Sequence, residues 1–222
     1  VPSIFATYGD EVLFYCVYSA WFVLEVSLTW LMPVLRSRGR GRIRVVERRS
    51  RALLLLSTFI ILFLAFFFSY FSLYTGIGLL PAWLFAPGMA LMMMGIAFRE
   101  WAVVTLGRYF YPHVAIQEGH RVITDGPYGL VRHPAYGGTL IIMAGLSIAL
   151  RSAVSLAAAL AIIYPILWAR ARREEQLLVQ ELGEEYLAYS RRVKRRFVPF
   201  LVRRPAGGNQ NRSPSTSLTS TQ

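Results

Sequence analysis

The sequence predicts an all-α integral membrane protein with about five transmembrane helices. Three observations carry that expectation. Of its 222 residues, 55% are hydrophobic, and the mean hydropathy of +0.44 lies far above the norm for soluble domains. The apolar residues come in blocks long enough to cross a hydrocarbon core of roughly 30 Å, which takes about 20 helical residues. Arginines gather between and after those blocks rather than inside them. A soluble alternative would require four or five fully apolar helices buried in one small core.

The first span is expected over residues 12–35, interrupted only by Glu25. It is too long for a signal-peptide core and has no basic leader, so it reads as a retained span. The second, 52–74, carries no charge, and the third covers 79–98. The fourth and fifth, 135–150 and 152–169, have their apolar blocks 139–150 and 153–169 separated only by Arg151 and Ser152, which predicts a tight helical hairpin with Arg151 near its tip. Ala153, Ala157 and Ala161 form a small-residue stripe on the fifth span that permits close helix packing. Residues 1–204 read as one domain. Residues 205–222, rich in Gly, Asn, Ser, Thr and Pro, read as a disordered tail.

Charge sets the expected orientation. Residues 36–51 hold eight arginines against one Glu, which keeps that loop cytoplasmic by the positive-inside rule. With five spans, the N-terminus is then outside and the basic segment after the fifth span inside. The net charge of +12 is thus mainly topological, with juxtamembrane arginines facing anionic lipids rather than nucleic acid. Cys16, the single cysteine, excludes an internal disulfide, and no Cys/His spacing points to a metal.

Between the third and fourth spans lies the most informative stretch, His120 to Tyr136. It packs two histidines, two arginines, two prolines and two tyrosines into a short polar segment. Thr124-Asp125-Gly126-Pro127 is turn-forming. Pro134 biases His133 away from helical angles and can open the fourth helix as its first residue. The N–H groups of that helix start, with Arg132 and His133, read as an anion receptor, and Tyr128 and Tyr136 supply flat amphipathic surfaces. The plainer alternative is a helix-entry loop with interfacial tyrosines and a snorkelling arginine. A second polar cluster, Arg170 to Glu175, follows the fifth span. A helix continuing out of that span places Arg170, Arg173 and Glu174 on neighbouring positions of one face. Such a pair is ordinarily a weak surface contact. At a membrane boundary, Arg can grip a carboxylate or phosphate while Glu accepts from an ammonium.

Gly126-Pro127-Tyr128 followed by Arg132-His133-Pro134-x-Tyr136, then Arg170-x-x-x-Glu174-Glu175, then Leu182-Gly183-Glu184-Glu185-Tyr186-x-x-Tyr189, resembles the isoprenylcysteine carboxyl methyltransferase family. Those membrane enzymes share their architecture with phospholipid N-methyltransferases. The resemblance runs from about Leu106 to Pro199. It implies S-adenosylmethionine as cofactor, held between the last spans and a cytoplasmic C-terminal helix that closes the pocket. The implied cofactor positions are His120, Arg121, Val122, Ile123, Tyr128, His133, Pro134, Ala135 and Tyr136. Glu174 is the implied acidic cofactor ligand and Arg170 the residue that orients the substrate. A family glutamine matches Gln117, with a different intervening length here.

No Gly-x-Gly-x-x-Gly follows a strand, so the cofactor is expected at the membrane face rather than in a soluble nucleotide-binding domain. A prenylcysteine carboxylate acceptor arriving from the bilayer needs no base, since it is ionised above a pKa of about 3.5. An aminophospholipid acceptor needs one, for which Glu175 and Glu100 are the candidates; a thiol is a third acceptor class. A non-enzymatic membrane scaffold or carrier is the competing class. Glu25 reads as a functional carboxylate or as an interhelical contact, with the contact favoured. Arg99 and Glu100, adjacent at the end of the third span, point in different directions, and one of them is expected at the pocket. Tyr109-Phe110-Tyr111 reads as an interfacial belt.

Overall fold

The computed structural model describes residues 3–27, 43–46, 48–109, 115–117 and 121–197. Helix α1 (Tyr8–Val26) starts at a capping box: Thr7 Oγ1 accepts from Asp10 N at 3.1 Å and Thr7 N donates to the Asp10 carboxylate at 3.2 Å. A short strand β1 (Ile43–Val46) precedes α2 (Arg48–Thr75), followed by α3 (Phe85–Leu106). Strand β2 (Ala115–Gln117) pairs antiparallel with β1. Then come α4 (Pro134–Ala149), α5 (Ala153–Leu182) and α6 (Glu184–Arg192). Apart from this short ribbon the described elements are helical, as the all-α expectation has it.

Among the described residues two helical stretches are long and apolar enough to cross a membrane, Ala82–Leu106 and Ala153–Leu182; Phe59–Thr75 and Pro134–Ala149 are shorter apolar helices. The third expected span thus starts later and runs further than 79–98, because Gly76 and Gly78, both at positive φ, hold the preceding chain in a turn. The fifth does not stop at residue 169. It continues unbroken into the second polar cluster, as the helical spacing of that cluster requires. Residues 28–35 of the first expected span and the tail 205–222 lie outside the described residues.

Packing centres on α3 and α4, the most extensive helix pair. Gly88 and Gly95 of α3 face the α4 backbone at Ala149 and Ile142, while Gly138 and Gly145 of α4 face Arg99 and the backbone of Met92. A Cβ at any of these four would collide with its neighbour, so glycine sets the helix separation. The expected alanine stripe does not play this part, since Ala157 and Ala161 lie on an exposed face of α5. The reason is rotational: α5 turns Ser155, Ala159, Ile163, Leu167 and Ala171 inward instead.

Each end of the bundle is tied by an arginine. At the α4–α5 turn, Arg151 takes φ +58°; its guanidinium donates to Leu80 O at 3.0 Å and Ile4 O at 3.1 Å. Beside it, Ser152 and Ser72 share a hydrogen bond of 2.7 Å. At the other end, Arg99 grips both carboxylate oxygens of Glu25 and also donates to Thr139 Oγ1 at 3.2 Å, joining α1, α3 and α4. Glu25 is therefore the interhelical contact favoured from sequence.

Gly145→Ala is expected to cost about 1–3 kcal/mol through overpacking at the α3–α4 contact. Ala157→Leu on the exposed stripe should stay within about 0.5 kcal/mol of the parent. Equilibrium unfolding of the two variants in detergent checks both; equal effects would remove the glycine contact as the determinant of helix separation.

Candidate active site

The two polar clusters meet where α4 begins and where α5 leaves its apolar stretch. Pro134 opens α4 at its first position, and His133 before it takes the extended-side angles φ −128°, ψ 66°. Those angles lay the His133 ring flat on Tyr136, with centroids 5.3 Å apart and planes 3° from parallel. Opposite this stack, α5 presents Arg170 and, one turn later, the adjacent Glu174 and Glu175. The Tyr136 hydroxyl donates to Glu174 Oε2 at 2.7 Å and accepts from Arg170 Nε at 2.6 Å, linking the three in a relay. His133 Nδ1 lies 3.9 Å from Glu174 Oε2.

Glu175, one residue on, has a different environment. Its Oε1 accepts from His133 Nε2 at 3.1 Å and Arg196 Nε at 3.1 Å, with Arg132 Nη1 at 3.2 Å, and Oε2 accepts from Arg196 Nη2 at 2.8 Å. Burial alone would raise this carboxyl; the hydrogen bonds from His133 and Arg196, with the charge of Arg132, outweigh it and hold the group below its ordinary pKa. An ionised, saturated carboxylate is a poor base. The candidacy of Glu175 as a proton acceptor therefore fails, because its lone pairs are already spent on three cationic or protic side chains.

Just ahead of the first turn of α4, Arg132 N and His133 N donate to Arg195 O at 2.9 Å and Arg196 O at 2.8 Å, so these two N–H groups are taken by the chain itself. Glu174, whose side chain keeps a third of its surface exposed, is the reachable acid.

The remaining predicted positions fall around this centre. Ile123, Tyr128 and Ala135 pack together against Ala102 of α3. Val122 N donates to Glu185 Oε1 at 3.2 Å, and Val122 packs against Tyr186, Tyr189 and Val193. Through these contacts, and a hydrogen bond of 2.8 Å from Tyr189 OH to Tyr128 O, α6 docks on the loop. Burial pushes the Tyr189 phenol up to about 12, so this donor stays protonated at neutral pH. Arg121 is exposed. Gln117 lies in β2 opposite Ile43, away from the α4–α5 cluster in sequence and element, and His120 lies outside the described residues. Glu100 is partly buried, and its Oε2 has no hydrogen-bond partner among the described residues. Arg196, Trp168 and Phe197 were not singled out from sequence. Arg132 was visible inside the Arg-His-Pro motif, whereas Arg196 was hidden in a basic run that reads as topology.

What the arrangement offers is a carboxylate and a guanidinium bridged by a phenol, beside two stacked rings, at the boundary of an apolar bundle. Among the described residues no cluster of three or more His, Cys, Asp or Glu is placed to hold a metal.

Residues 88–180 match the sequence profile of the isoprenylcysteine carboxyl methyltransferase family. Protein-S-isoprenylcysteine O-methyltransferase B of Arabidopsis thaliana is 32% identical over 113 residues, covering 50% of this chain and 57% of its own. The human enzyme of that name is 31% identical over 114 residues, covering 50% and 40%. The chain thus spans about half the length of the curated relatives it matches. Among solved structures, a eukaryotic intramembrane Ras methyltransferase aligns with a TM-score of 0.54 at 24% identity, over 70% of this chain and 55% of that one, which shows a shared fold.

Glu175→Gln is expected to destabilise the protein by about 3 kcal/mol at neutral pH by leaving two arginines and His133 short of their partner. The folded carboxyl sits below its unfolded pKa, so its contribution is full above the ordinary carboxylate range and lost as pH falls through the folded value. Unfolding of parent and variant from pH 7 downward should show the gap between them closing; a gap constant with pH would contradict the ionised, clamped state.

Proposed function

We propose, from the match of residues 88–180 to the isoprenylcysteine carboxyl methyltransferase profile, that this chain is an S-adenosylmethionine-dependent membrane methyltransferase acting on a lipophilic carboxylate, a prenylated cysteine or a close analogue. The observation that carries the reading is the Glu174–Tyr136–Arg170 relay against the His133 ring. The donor set fits the cofactor: Glu174 can accept from an α-ammonium, and His133 and Tyr136 offer flat faces. When bound, S-adenosylmethionine supplies an electrophilic methyl group. Arg170 orients the acceptor carboxylate, which already carries its charge and needs no proton removed. Tyr128, Ile123 and Ala135, with α6 above them, exclude water from one side. The bond made is carbon to carboxylate oxygen; the bond broken is methyl to sulfur.

The same reading assigns cofactor contacts to His120, Arg121, Val122, Pro134 and Gln117 on the resemblance alone. It takes the chain across the membrane five times with the N-terminus outside, so that the relay faces the cytosol. The arginine-rich segment 36–51 and the exposed Arg172, Arg173, Arg191 and Arg192 would then meet anionic headgroups. An aminophospholipid acceptor is the second reading, and the partnerless Oε2 of Glu100 favours it as the remaining candidate base.

Titration of purified protein with S-adenosylhomocysteine should give saturable binding; its absence in a fold-preserving detergent favours a scaffold or carrier. Assays with a farnesylcysteine analogue, an aminophospholipid and a thiol should give base-labile methyl ester on the first. Methylation of lipid amine alone, abolished by Glu100→Gln, would replace the carboxylate reading with the second. Glu174→Ala should weaken cofactor affinity by roughly tenfold or more, while Arg170→Ala should lower turnover more than cofactor affinity. Equal mild losses from both would leave the pair as a surface contact.

A further inference from the structure

Past α6 the sequence reads Val193-Lys194-Arg195-Arg196-Phe197, which by composition is more of the basic inner-face tail. Its placement is not that of a tail. The segment crosses the start of α4 as a strap, fixed by three independent kinds of contact. Its carbonyls at Arg195 and Arg196 accept from the main-chain N–H groups of Arg132 and His133 at 2.9 and 2.8 Å. The Arg196 guanidinium holds both oxygens of Glu175 and lies 4.2 Å from the centre of the Trp168 ring. Phe197 is only 5% exposed, and four rings surround it. His133 and Tyr136 lie on one side at 6.2 and 6.3 Å, and Tyr164 and Trp168 of α5 on the other at 6.0 and 6.2 Å. The strap runs so close to α4 that a Cβ at Gly137 would collide with the Phe197 carbonyl.

We propose that Phe197 and Arg196 are positioning residues of the methyl-donor site, acting through His133 and Tyr136 to keep the stacked rings and the Glu174 relay in their donor-ready arrangement. The inference rests on the methyltransferase reading above and adds to it a part of the chain that the Arg-His-Pro and Arg-x-x-x-Glu-Glu motifs do not contain. The physical case is one of supports. His133 has three constraints besides its own backbone: Glu175 on Nε2, Tyr136 on its face and Phe197 beside it. Arg196 acts on the first by holding Glu175, and Phe197 on the other two by closing the open side of the stack. Without the strap, His133 also loses the acceptor of its N–H. Rings that pack into a preformed arrangement bind a flat ligand with less ordering cost than rings that must first be gathered.

The test uses the full chain in detergent or nanodiscs, with Phe197→Ala, Phe197→Leu and Arg196→Lys. Phe197→Ala should raise the KM for S-adenosylmethionine and the Kd for S-adenosylhomocysteine on the order of tenfold, with kcat and the acceptor KM changed by less than about threefold. Phe197→Leu, which refills the socket, should recover part of that loss. Arg151→Ala, at the opposite end of the bundle, serves as the stability control: it should lower the thermal midpoint without moving the donor KM. A folded Phe197→Ala protein with unchanged donor KM and Kd overturns the proposal. If that variant does not fold, Phe197→Leu and Arg196→Lys decide by the same measure, and an unchanged donor Kd in both overturns it. Failure of the parent protein to bind S-adenosylhomocysteine defeats the methyltransferase reading and this inference together; parent binding with unaltered variants defeats the strap alone.

Discussion

The carboxylate of Glu175 is the point on which the α4 entry and the end of the α5 apolar stretch both depend. It gathers Arg132 and His133 from the loop before α4 and Arg196 from the strap after α6, segments far apart in sequence. Each of those groups gives up water to reach it, a cost that only close, multiple hydrogen bonds offset. With that anchor made, the His133 ring has one orientation, and the Tyr136 ring lies flat against it. Glu174 is then left pointing toward Tyr136 with part of its surface open. Two adjacent glutamates take opposite duties because one is enclosed by cations and the other is not.

A second constraint works at right angles to the first. The glycines of α3 and α4 bring two backbones into direct contact, and that closeness lets Arg99 reach across to Thr139 and back to Glu25. In an apolar bundle the hydrophobic effect does not discriminate between helix neighbours, so close backbone approach and a few polar bridges decide which helices pair. The site is therefore built where the tightest helix pair ends. The first turn of α4 carries its register from the glycine contact to Tyr136.

The apolar blocks and the motif pair were readable from the chain because both are local patterns: block length reports on lipid, and Arg-x-x-x-Glu reports on one helix face. That the two motifs meet followed from their positions beside successive spans, and His133 and Tyr136 do lie against Glu175 and Glu174. What stayed hidden were facts that belong to pairs of segments. Glu174 and Glu175 are indistinguishable until the partners on either side of the helix are known. The Gly88/Gly95 and Gly138/Gly145 spacings mean little until the two helices are laid together, while the alanine stripe, conspicuous within one helix, faces outward. Arg196 looked like one more inner-face charge. The strand pair joins residues separated by some seventy positions, beyond the reach of any local signal.

Helix α5 runs without interruption from the Arg151 turn to Leu182, carrying Arg170 on the same rod that crosses the apolar layer. From Ala153 to Arg170 that rod measures about 26 Å, a little less than the roughly 30 Å of an average hydrocarbon core. The height of the relay within the bilayer is consequently a property of helix length and tilt, not of loop conformation. On the methyltransferase reading proposed above, a lipophilic acceptor with its reactive end at headgroup depth would meet Arg170 without leaving the leaflet. On that same reading, bilayer thickness, which lipid composition sets, would act as a vertical adjustment on which acceptors come level with the relay.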